Sequence, residues 1–287
     1  MHSSGPTNTS KNVSQSASEN SGAGARVGLF VTCLVDLYRP NVGFACISLL
    51  EKAGCSVSVP ESQTCCGQPA FNSGEVANSM AIAKATIEAF ESFDYIVAPS
   101  GSCAGMLREH YPELLANEVE WSARGSEFSS RVYELTSFLV DVLGFNKLDA
   151  KFPHSVTYHD SCSGLREMGI KEQPRQLLAE VEGLSVREMA DTDVCCGFGG
   201  TFCVKYPEIS ERMVSDKAAL ARQSEADVLL AGDMGCLLNI SGRLKRTETS
   251  KASTAGRGRS MRVYHVVEVL AGMADGAGIG DPENNPA

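Results

Sequence analysis

The sequence has 287 residues, of which 43% are hydrophobic, and its formal net charge at pH 7 is −10. A chain of this length accommodates one large domain or two of ordinary size, and its acidic balance argues against nucleic acid as a main partner. No stretch approaches the roughly eighteen apolar residues of a transmembrane helix, so we expect a cytoplasmic protein that reaches a membrane only through partners.

The two ends of the chain differ in composition from its centre. Residues 1–25 are rich in Ser, Asn and Gly and lack the apolar stretch of a secretory signal, which predicts a disordered tail. A second disordered tail is expected at 276–287. Eleven cysteines, an odd number in a long chain without a secretory signal, indicate metal or redox chemistry rather than disulfides.

The first half of the sequence alternates predicted strands with predicted helices. The segment RVGLFVTC predicts a buried strand that ends at Cys33. Pro40 is typical of a first helical turn, and the helix is expected to end near Lys52. The segment CSVSVP predicts a second strand, apolar residues at helical spacing follow over 74–90, and DYIVAPS predicts a third strand that leads to Cys103.

The second half repeats the first at a nearly constant offset. The recurring cysteines are Cys33 and Cys162 (129 residues apart), Cys65-Cys66 and Cys195-Cys196 (130 residues), and Cys103 and Cys236 (133 residues). The tripeptide RVY also recurs, at 131–133 and 262–264. This repeat predicts an α/β protein of two homologous lobes, 26–150 and 151–275, each a small parallel sheet flanked by helices.

Predicted elements of the second half follow the same order. The segments SVTYH, LSVREM and DVLLAG predict three strands, with helices expected from Pro174 to Gly183 and from Pro207 to Gln223. A polar insertion over 241–262 carries seven Lys or Arg against one Glu, and we interpret it as a solvated loop.

Each group of four recurring cysteines lies where strands end and helices begin. The carboxyl ends of parallel strands form the usual binding crevice, so the thiols of one half are expected to converge there. Glycines such as Gly67 and Gly197 allow close backbone approach to anionic sulfur. Four thiolates suit an iron–sulfur cluster, a zinc ion or dithiol chemistry. Adjacent cysteines reach different irons of a cluster more easily than two vertices of one ion, which favours the cluster over the other two.

The repeated order of a cysteine, a CCG tripeptide and another cysteine resembles the cysteine-rich CCG domain family. That family includes heterodisulfide reductase subunits and iron–sulfur subunits of glycolate oxidation. Four strings resemble more narrowly its lactate utilization branch: TCCGQPAFNSG (64–74), APSGSCAGM (98–106), YHDSCSGLRE (158–167) and CCGFGGTFCVKYPEIS (195–210). The resemblance covers nearly all of 26–273.

This resemblance implies an iron–sulfur electron-transfer subunit of a multi-protein oxidoreductase that oxidises L-lactate to pyruvate. It implies two [4Fe–4S]-type clusters held by the eight recurring cysteines, and no catalytic residue is visible in the chain. The implied partners are other lactate utilization subunits, including a ferredoxin-type iron–sulfur protein. Two alternatives remain open: a disulfide or heterodisulfide reductase subunit, and a zinc-stabilised binding module.

The sequence departs from the wider family at the last cysteine of each half. The family often has CxxC there, but the first cysteine of that pair is Ser100 in one half and Asp233 in the other. Five-cysteine units bind noncubane clusters that cleave disulfides, so this departure favours plain electron transfer. Ser100 and Asp233 are equally compatible with an oxygen ligand or a hydrogen bond to sulfide and with helix capping.

Several other residues have a simpler interpretation. Cys46, Cys55 and Cys203 lie outside the repeat, and Cys46 and Cys55 are predicted to be core residues. Cys203 is closer to the second CCG, but its counterpart in the first half is near Ser73, which argues against an essential ligand. For His159 and Asp160, just before Cys162, we favour a strand-end histidine satisfied by hydrogen bonds over a proton-handling role. His265 and Glu268 have no third metal ligand nearby and are interpreted as structural.

Overall fold

A computed structural model describes residues 24–251 and 260–281. It contains two four-stranded sheets in which every strand pairing is parallel, so the predicted α/β architecture of two homologous lobes is confirmed. Of the predicted N-terminal tail, 1–25, residues 1–23 lie outside the described part of the chain, and Gly24 and Ala25 are hydrogen-bonded to Gly54 and Ser56. Within the described residues, no helix has the length and apolar content needed to cross a membrane.

The strands of each sheet follow the same order. The first sheet contains β1 (Arg26–Leu29), β2 (Ser56–Ser58), β3 (Tyr95–Ala98) and β4 (Val132–Glu134), and the second contains β5 (Ser155–His159), β6 (Ser185–Val186), β7 (Val228–Ala231) and β8 (Arg262–His265). Their orders are β2-β1-β3-β4 and β6-β5-β7-β8. Connections from the central strands β1 and β3 therefore leave in opposite directions, which creates a topological switch point at the carboxyl edge of each sheet.

Helices cover both sheets. The first lobe contains α1 (Cys33–Tyr38), α2 (Pro40–Lys52), α3 (Gln68–Phe71), α4 (Val76–Phe90), α5 (Gly101–Gly105), α6 (Tyr111–Leu114), α7 (Ser122–Ser130) and α8 (Leu135–Ser137), with π-helical turns at Met106–His110 and Phe138–Val142. The second lobe contains α9 (Cys162–Arg166), α10 (Glu172–Ala179), α11 (Phe202–Lys205), α12 (Pro207–Gln223), α13 (Met234–Lys251) and α14 (Val266–Leu270).

Two local expectations for the strands were wrong. The first strand ends at Leu29, and Cys33 instead begins α1, because the Thr32 side chain accepts a hydrogen bond from Val35 N and caps that helix. Each sheet also has a fourth strand where the sequence predicted only three, and this strand contains residues of the recurring RVY tripeptide. The pairing of these fourth strands with β3 and β7 explains why this tripeptide recurs.

The prediction of a loop over 241–262 is also wrong for residues 241–251, because α13 continues to Lys251. Its basic side chains find acidic partners, with Arg243 contacting Glu211 at 2.7 Å and Lys245 contacting Asp281. Residues 252–259 lie outside the described part of the chain.

The predicted C-terminal tail begins too early. Ile279 is buried, and its N–H donates to the carbonyl of Val263 at 2.7 Å, so residues 276–281 pack against the second lobe. Residues 282–287 lie outside the described part of the chain.

The two lobes are joined by reciprocal contacts. Helix α14 of the second lobe packs on α2 of the first, and α8 of the first packs on α10 of the second. Between α5 and α9 the backbones meet so closely that a methyl group on Gly101 would lie 2.5 Å from Gly164 Cα. A buried ion pair joins Arg39 to Glu268 at 2.8 Å. The largest hydrophobic cluster contains residues of both sheets, so the lobes share one core.

Candidate metal centres

The eight recurring cysteines occupy equivalent places in the two lobes. We call Cys33, Cys65, Cys66 and Cys103 the first thiol set, and Cys162, Cys195, Cys196 and Cys236 the second thiol set. In each set one cysteine begins the helix after the first strand of the sheet, two lie in the loop after the second strand, and one lies in the helix after the third strand. All three places are at the carboxyl edge of the sheet, where the topology switches direction.

Sulfur atoms of the first thiol set lie within reach of one another. The Sγ atoms of Cys33 and Cys65 are 3.9 Å apart, and those of Cys66 and Cys103 are 3.4 Å apart. A further thiol hydrogen bond joins Cys65 to Cys66. These separations are far longer than the roughly 2.05 Å of a disulfide, and all eleven cysteines of the chain are free thiols.

The second thiol set has the same connections. Interactions between neighbouring thiols link Cys162 to Cys195, Cys195 to Cys196, and Cys196 to Cys236. Gly197, at φ +81°, has the left-handed conformation that glycine adopts without strain, and its N–H donates to Cys195 Sγ at 3.3 Å. The structure therefore brings together all four predicted residues in each lobe.

In each thiol set, one cysteine loses its proton more readily than the other three. Hydrogen bonds from Cys33 and Cys66 lower the pKa of Cys65 to about 3, and those from Cys162 and Cys196 lower the pKa of Cys195 to about 2. Ionising the remaining thiols would place like charges beside that thiolate. Four thiolates so close together are stable only around a cation, because a bound metal deprotonates its thiol ligands outright. The donor set therefore fits a metal ion or an iron–sulfur cluster.

A cavity of about 230 Å³ borders the first thiol set at the boundary between the lobes. It is lined by all four of these cysteines and by second-lobe residues that include Phe198, Thr201 and Met234. Phe198 was not singled out in the sequence. Its ring lies over Gly235, where a Cβ atom would be only 2.3 Å away, so a larger residue at position 235 would have to displace the Phe198 ring.

Ser100 and Asp233 act as helix caps. Ser100 Oγ accepts from Cys103 N at 3.3 Å, and Asp233 Oδ1 accepts from Gly235 N at 3.1 Å. Both residues also line the cavity beside the first thiol set. The capping roles that the sequence left open are therefore observed for both residues.

The expectation that His159 would be satisfied by hydrogen bonds is wrong. Its side chain is fully buried, and neither ring nitrogen has a hydrogen-bond partner. Burial lowers the pKa of His159 to about 4. The neighbouring Asp160 is paired instead, because both of its oxygens accept from Arg175, at 2.9 and 3.0 Å. His159 is therefore a neutral, unpartnered donor beside the second thiol set.

The remaining cysteines and the predicted structural pair behave as expected. Cys46 and Cys55 are buried core residues, as predicted. Cys203 is half-buried, and its thiol donates to the carbonyl of Gly200 at 3.6 Å. His265 and Glu268 form a capping box at the start of α14, which confirms their structural role.

One residue near the second thiol set was missed in the sequence. Lys217 is almost completely buried, and its Nζ atom donates to the carbonyls of Asp191 and Thr192. The helical spacing of apolar residues did point to a buried position at Lys217. Val214, Lys217 and Ala221 share one face of α12, and that face is buried. A lysine on an apolar helix face marks a buried charge.

The fold and the two thiol sets together define a cysteine-rich α/β protein that binds metal. The cysteine-rich CCG domain matches residues 27–108 and 156–241, and the chain belongs to that family. Lactate utilization protein A of Bacillus velezensis is 45% identical over 245 residues, which cover 85% of this chain and 98% of that protein. Lactate utilization protein A of Anoxybacillus flavithermus is 48% identical over 244 residues, with the same two coverages.

The fold also resembles that of a solved structure. The crystal structure of a hypothetical protein from Helicobacter pylori aligns with 91% of this chain at a TM-score of 0.62 and 12% sequence identity. This chain covers 50% of that protein. At this level of identity the likeness concerns the fold alone.

Proposed function

We propose that the chain is an iron–sulfur electron-transfer subunit of a multi-protein oxidoreductase that oxidises L-lactate to pyruvate. The single observation that carries the proposal is the convergence of four free thiols in each lobe. Lactate as the substrate follows from relatives named lactate utilization protein A, which share 45–48% of their residues with this chain. The proposed partners are other lactate utilization subunits, one of them a ferredoxin-type iron–sulfur protein.

The order of the cysteines in the chain favours a cluster over a single ion. Cys65 and Cys66 are neighbours in the chain, yet Cys65 contacts Cys33 while Cys66 contacts Cys103. Adjacent cysteines reach different irons of a cluster more easily than two vertices around one ion. Such an arrangement suits ligands that bind different irons, whereas structural zinc takes four donors at one ion. We assign one [4Fe–4S]-type cluster to each thiol set.

In this proposal the chain relays electrons and performs no chemistry on lactate itself. Oxidation of lactate to pyruvate releases two electrons and two protons, and a partner subunit takes them from the substrate. An iron–sulfur cluster, when bound, accepts and passes on one electron at a time. The chain's own residues supply thiolate ligands, donate backbone N–H groups such as that of Gly197 to sulfur, and bury the cysteines.

A second candidate function rests on the cavity beside the first thiol set. Its volume of about 230 Å³ leaves space for a small molecule next to those cysteines. That observation favours a disulfide or heterodisulfide reductase, in which a substrate disulfide would meet the site directly. This candidate predicts turnover with a disulfide substrate by the isolated chain.

The experiment measures iron, acid-labile sulfide and zinc per chain after purification without oxygen, with EPR before and after reduction. We expect about eight irons and eight sulfides, the content of two four-iron clusters. Cys65→Ser should remove about half of both, and Cys195→Ser the other half. Cys46→Ser is the matched control and should remove neither, because Cys46 is buried away from both thiol sets. Zinc without sulfide would replace the proposal with a zinc-stabilised binding module.

A further inference from the structure

The two thiol sets differ in their surroundings, and His159 is the clearest difference. A ring nitrogen of His159 and the Sγ atoms of Cys196 and Cys236 all lie within 4.8 Å of one another. Both ring nitrogens are buried without a hydrogen-bond partner. A buried polar group without a partner is uncommon and indicates that something absent from the protein chain satisfies it.

The first lobe has no counterpart to this histidine. Counting three residues back from Cys162 gives His159, and counting three back from Cys33 gives Phe30. Strand pairing supports this equivalence. His159 lies opposite Ala231, the last residue of β7. Leu29 lies opposite Val97, so the next residue, Phe30, is level with Ala98, the last residue of β3. Phe30 is fully buried in its own hydrophobic cluster. The first thiol set therefore faces a hydrocarbon ring where the second faces an imidazole.

Lys217 is the second difference. Ser79 and Ser210 are equivalent buried serines in α4 and α12, and seven residues further along lie Thr86 and Lys217. The charge of Lys217 interacts with Cys196 and Cys236, whereas Thr86 is neutral and accepts a hydrogen bond from Tyr111. The carboxylate of Asp233 acts on Cys236 in the opposite direction, and it also lines the cavity beside the first thiol set. Of these two equivalent positions, only the one near the second thiol set carries a buried cation.

We propose that His159 and Lys217 make the second thiol set the more readily reduced of the two sites, so that electrons pass from the first lobe to the second. This inference rests on the proposed function, because it needs a redox-active group at both sets. Adding an electron makes a thiolate-bound group more negative. A buried cation and a nitrogen contact at its ligands therefore stabilise its reduced form. The first site, beside Phe30 and Thr86, lacks both effects.

Residues that flank the second thiol set in sequence reach the cavity beside the first. Phe198 and Gly235 line that cavity, and in the chain they lie two residues after Cys196 and directly before Cys236. One electron moves from the first site, which is oxidised, to the second, which is reduced. No bond forms or breaks and no proton moves. The reductant is the lactate-oxidising partner, and the oxidant is a downstream one-electron carrier.

The first test isolates each site in the full chain. Cys65→Ser/Cys66→Ser leaves only the second thiol set, and Cys195→Ser/Cys196→Ser leaves only the first. EPR-monitored redox titration of each variant gives the midpoint potential of the site that remains. We expect the higher midpoint potential at the second site. Equal potentials, or a higher one at the first site, overturn the inference.

The second test exchanges the two residues that carry the inference. His159→Phe copies the first lobe, and Lys217→Met keeps the aliphatic stem while removing the charge. Each should lower the midpoint potential of the second site and leave that of the first unchanged. Lys151→Met is the control, because it removes an exposed positive charge from the same lobe. An unchanged second site in both variants overturns the inference.

Failure of the inference is distinguishable from failure of the proposed function. Absence of iron and labile sulfide in the wild-type chain refutes the function itself. Full iron and sulfide content with equal potentials refutes only the inferred direction of electron flow. Because the first test leaves His159 and Lys217 in place, it gives an answer even if either substitution prevents folding.

Discussion

Ser100 donates its hydroxyl to Asp233 Oδ2 at 3.0 Å, and these two residues hold equivalent positions in the two lobes. Each lies three residues before the last cysteine of its thiol set. Asp233 Oδ2 also accepts from the backbone N–H of Ser102 at 3.2 Å, so its carboxylate bonds with the start of α5 as well as the start of its own helix. The carboxylate thereby holds the two cysteine-bearing helices at a fixed separation.

Asp233→Ala should destabilise the protein by about 1–3 kcal/mol, because it leaves the N–H groups of Ser102 and Gly235 without acceptors. The measurement is urea unfolding of the wild type, Asp233→Ala, Ser100→Ala and the double variant. The two substitutions should be non-additive by about 0.5 kcal/mol or more, because the residues bond with each other. Additive losses would show that the bond between the lobes contributes nothing to stability.

The Arg39–Glu268 ion pair makes a second prediction about the boundary between the lobes. Arg39→Met leaves the carboxylate of Glu268 buried without its partner and should cost about 3–5 kcal/mol. The double variant Arg39→Met/Glu268→Met should recover much of that loss, because hydrophobic replacement removes the unpaired charge. Arg212→Met breaks an exposed pair at 3.0 Å and serves as the control, with an expected loss of about 0.5 kcal/mol or less. A double variant less stable than Arg39→Met contradicts this account.

His265 should make stability fall in acid. Burial is the main cause that lowers its pKa to about 4, although Asp233 and the carbonyl of Pro99 act in the opposite direction. As the pH falls, His265 of the unfolded chain therefore takes up a proton near pH 6.5, whereas His265 of the folded chain does so only near pH 4. This contribution of His265 to the free energy of unfolding is fully present above pH 6.5. About 3 kcal/mol of it is lost as the pH falls from 6.5 through about 4.

His265→Asn tests this pH dependence. Asparagine is neutral and can still accept the hydrogen bond from Val267 N that caps α14. Urea unfolding at several pH values between 7.5 and 4.5 should show a shallower loss of stability in the variant than in the wild type. Identical slopes would assign the acid sensitivity to other groups.

Two glycines in helices should respond to alanine in opposite ways. Gly101→Ala places a methyl group 2.5 Å from the backbone of Gly164 and should cost about 1–3 kcal/mol or more by forcing α5 and α9 apart. Gly43→Ala in α2 meets nothing closer than Val31 at 3.8 Å and should gain about 0.5–1 kcal/mol from helix propensity. Thermal unfolding of both variants measures the contrast. A stable Gly101→Ala chain would mean that α5 and α9 do not pack as described.

The repeat made most of the fold predictable. Offsets between equivalent cysteines indicated the two lobes, and the helices expected to begin at Pro40 and near Pro207 do so, because proline is typical of the first helical turn. The helix expected from Pro174 to Gly183 instead spans Glu172–Ala179. The fourth strands were harder to detect. Val132–Glu134 has only three residues and runs directly into α8, so it shows neither a period nor a flanking turn.

The thiol sets were also predictable, but their surroundings were not. Cysteine spacing and strand ends located the eight sulfurs because topology places them at one edge of each sheet. The state of His159 depends on what surrounds it in three dimensions, and nothing in YHDSC shows that its ring finds no partner. The contact between Ser100 and Asp233 similarly joins residues 133 positions apart and exists only because the two lobes face each other.

The reciprocal packing of the lobes has a consequence for the origin of the chain. Helix α14 covers α2, α8 covers α10, and Ser100 meets its own equivalent, Asp233. These are the contacts of an isologous dimer, in which one surface patch is used twice around a two-fold axis. A chain of half this length could build the same assembly as a homodimer. Within one polypeptide the two halves need not be identical, and a phenylalanine stands in one half where the other has a histidine.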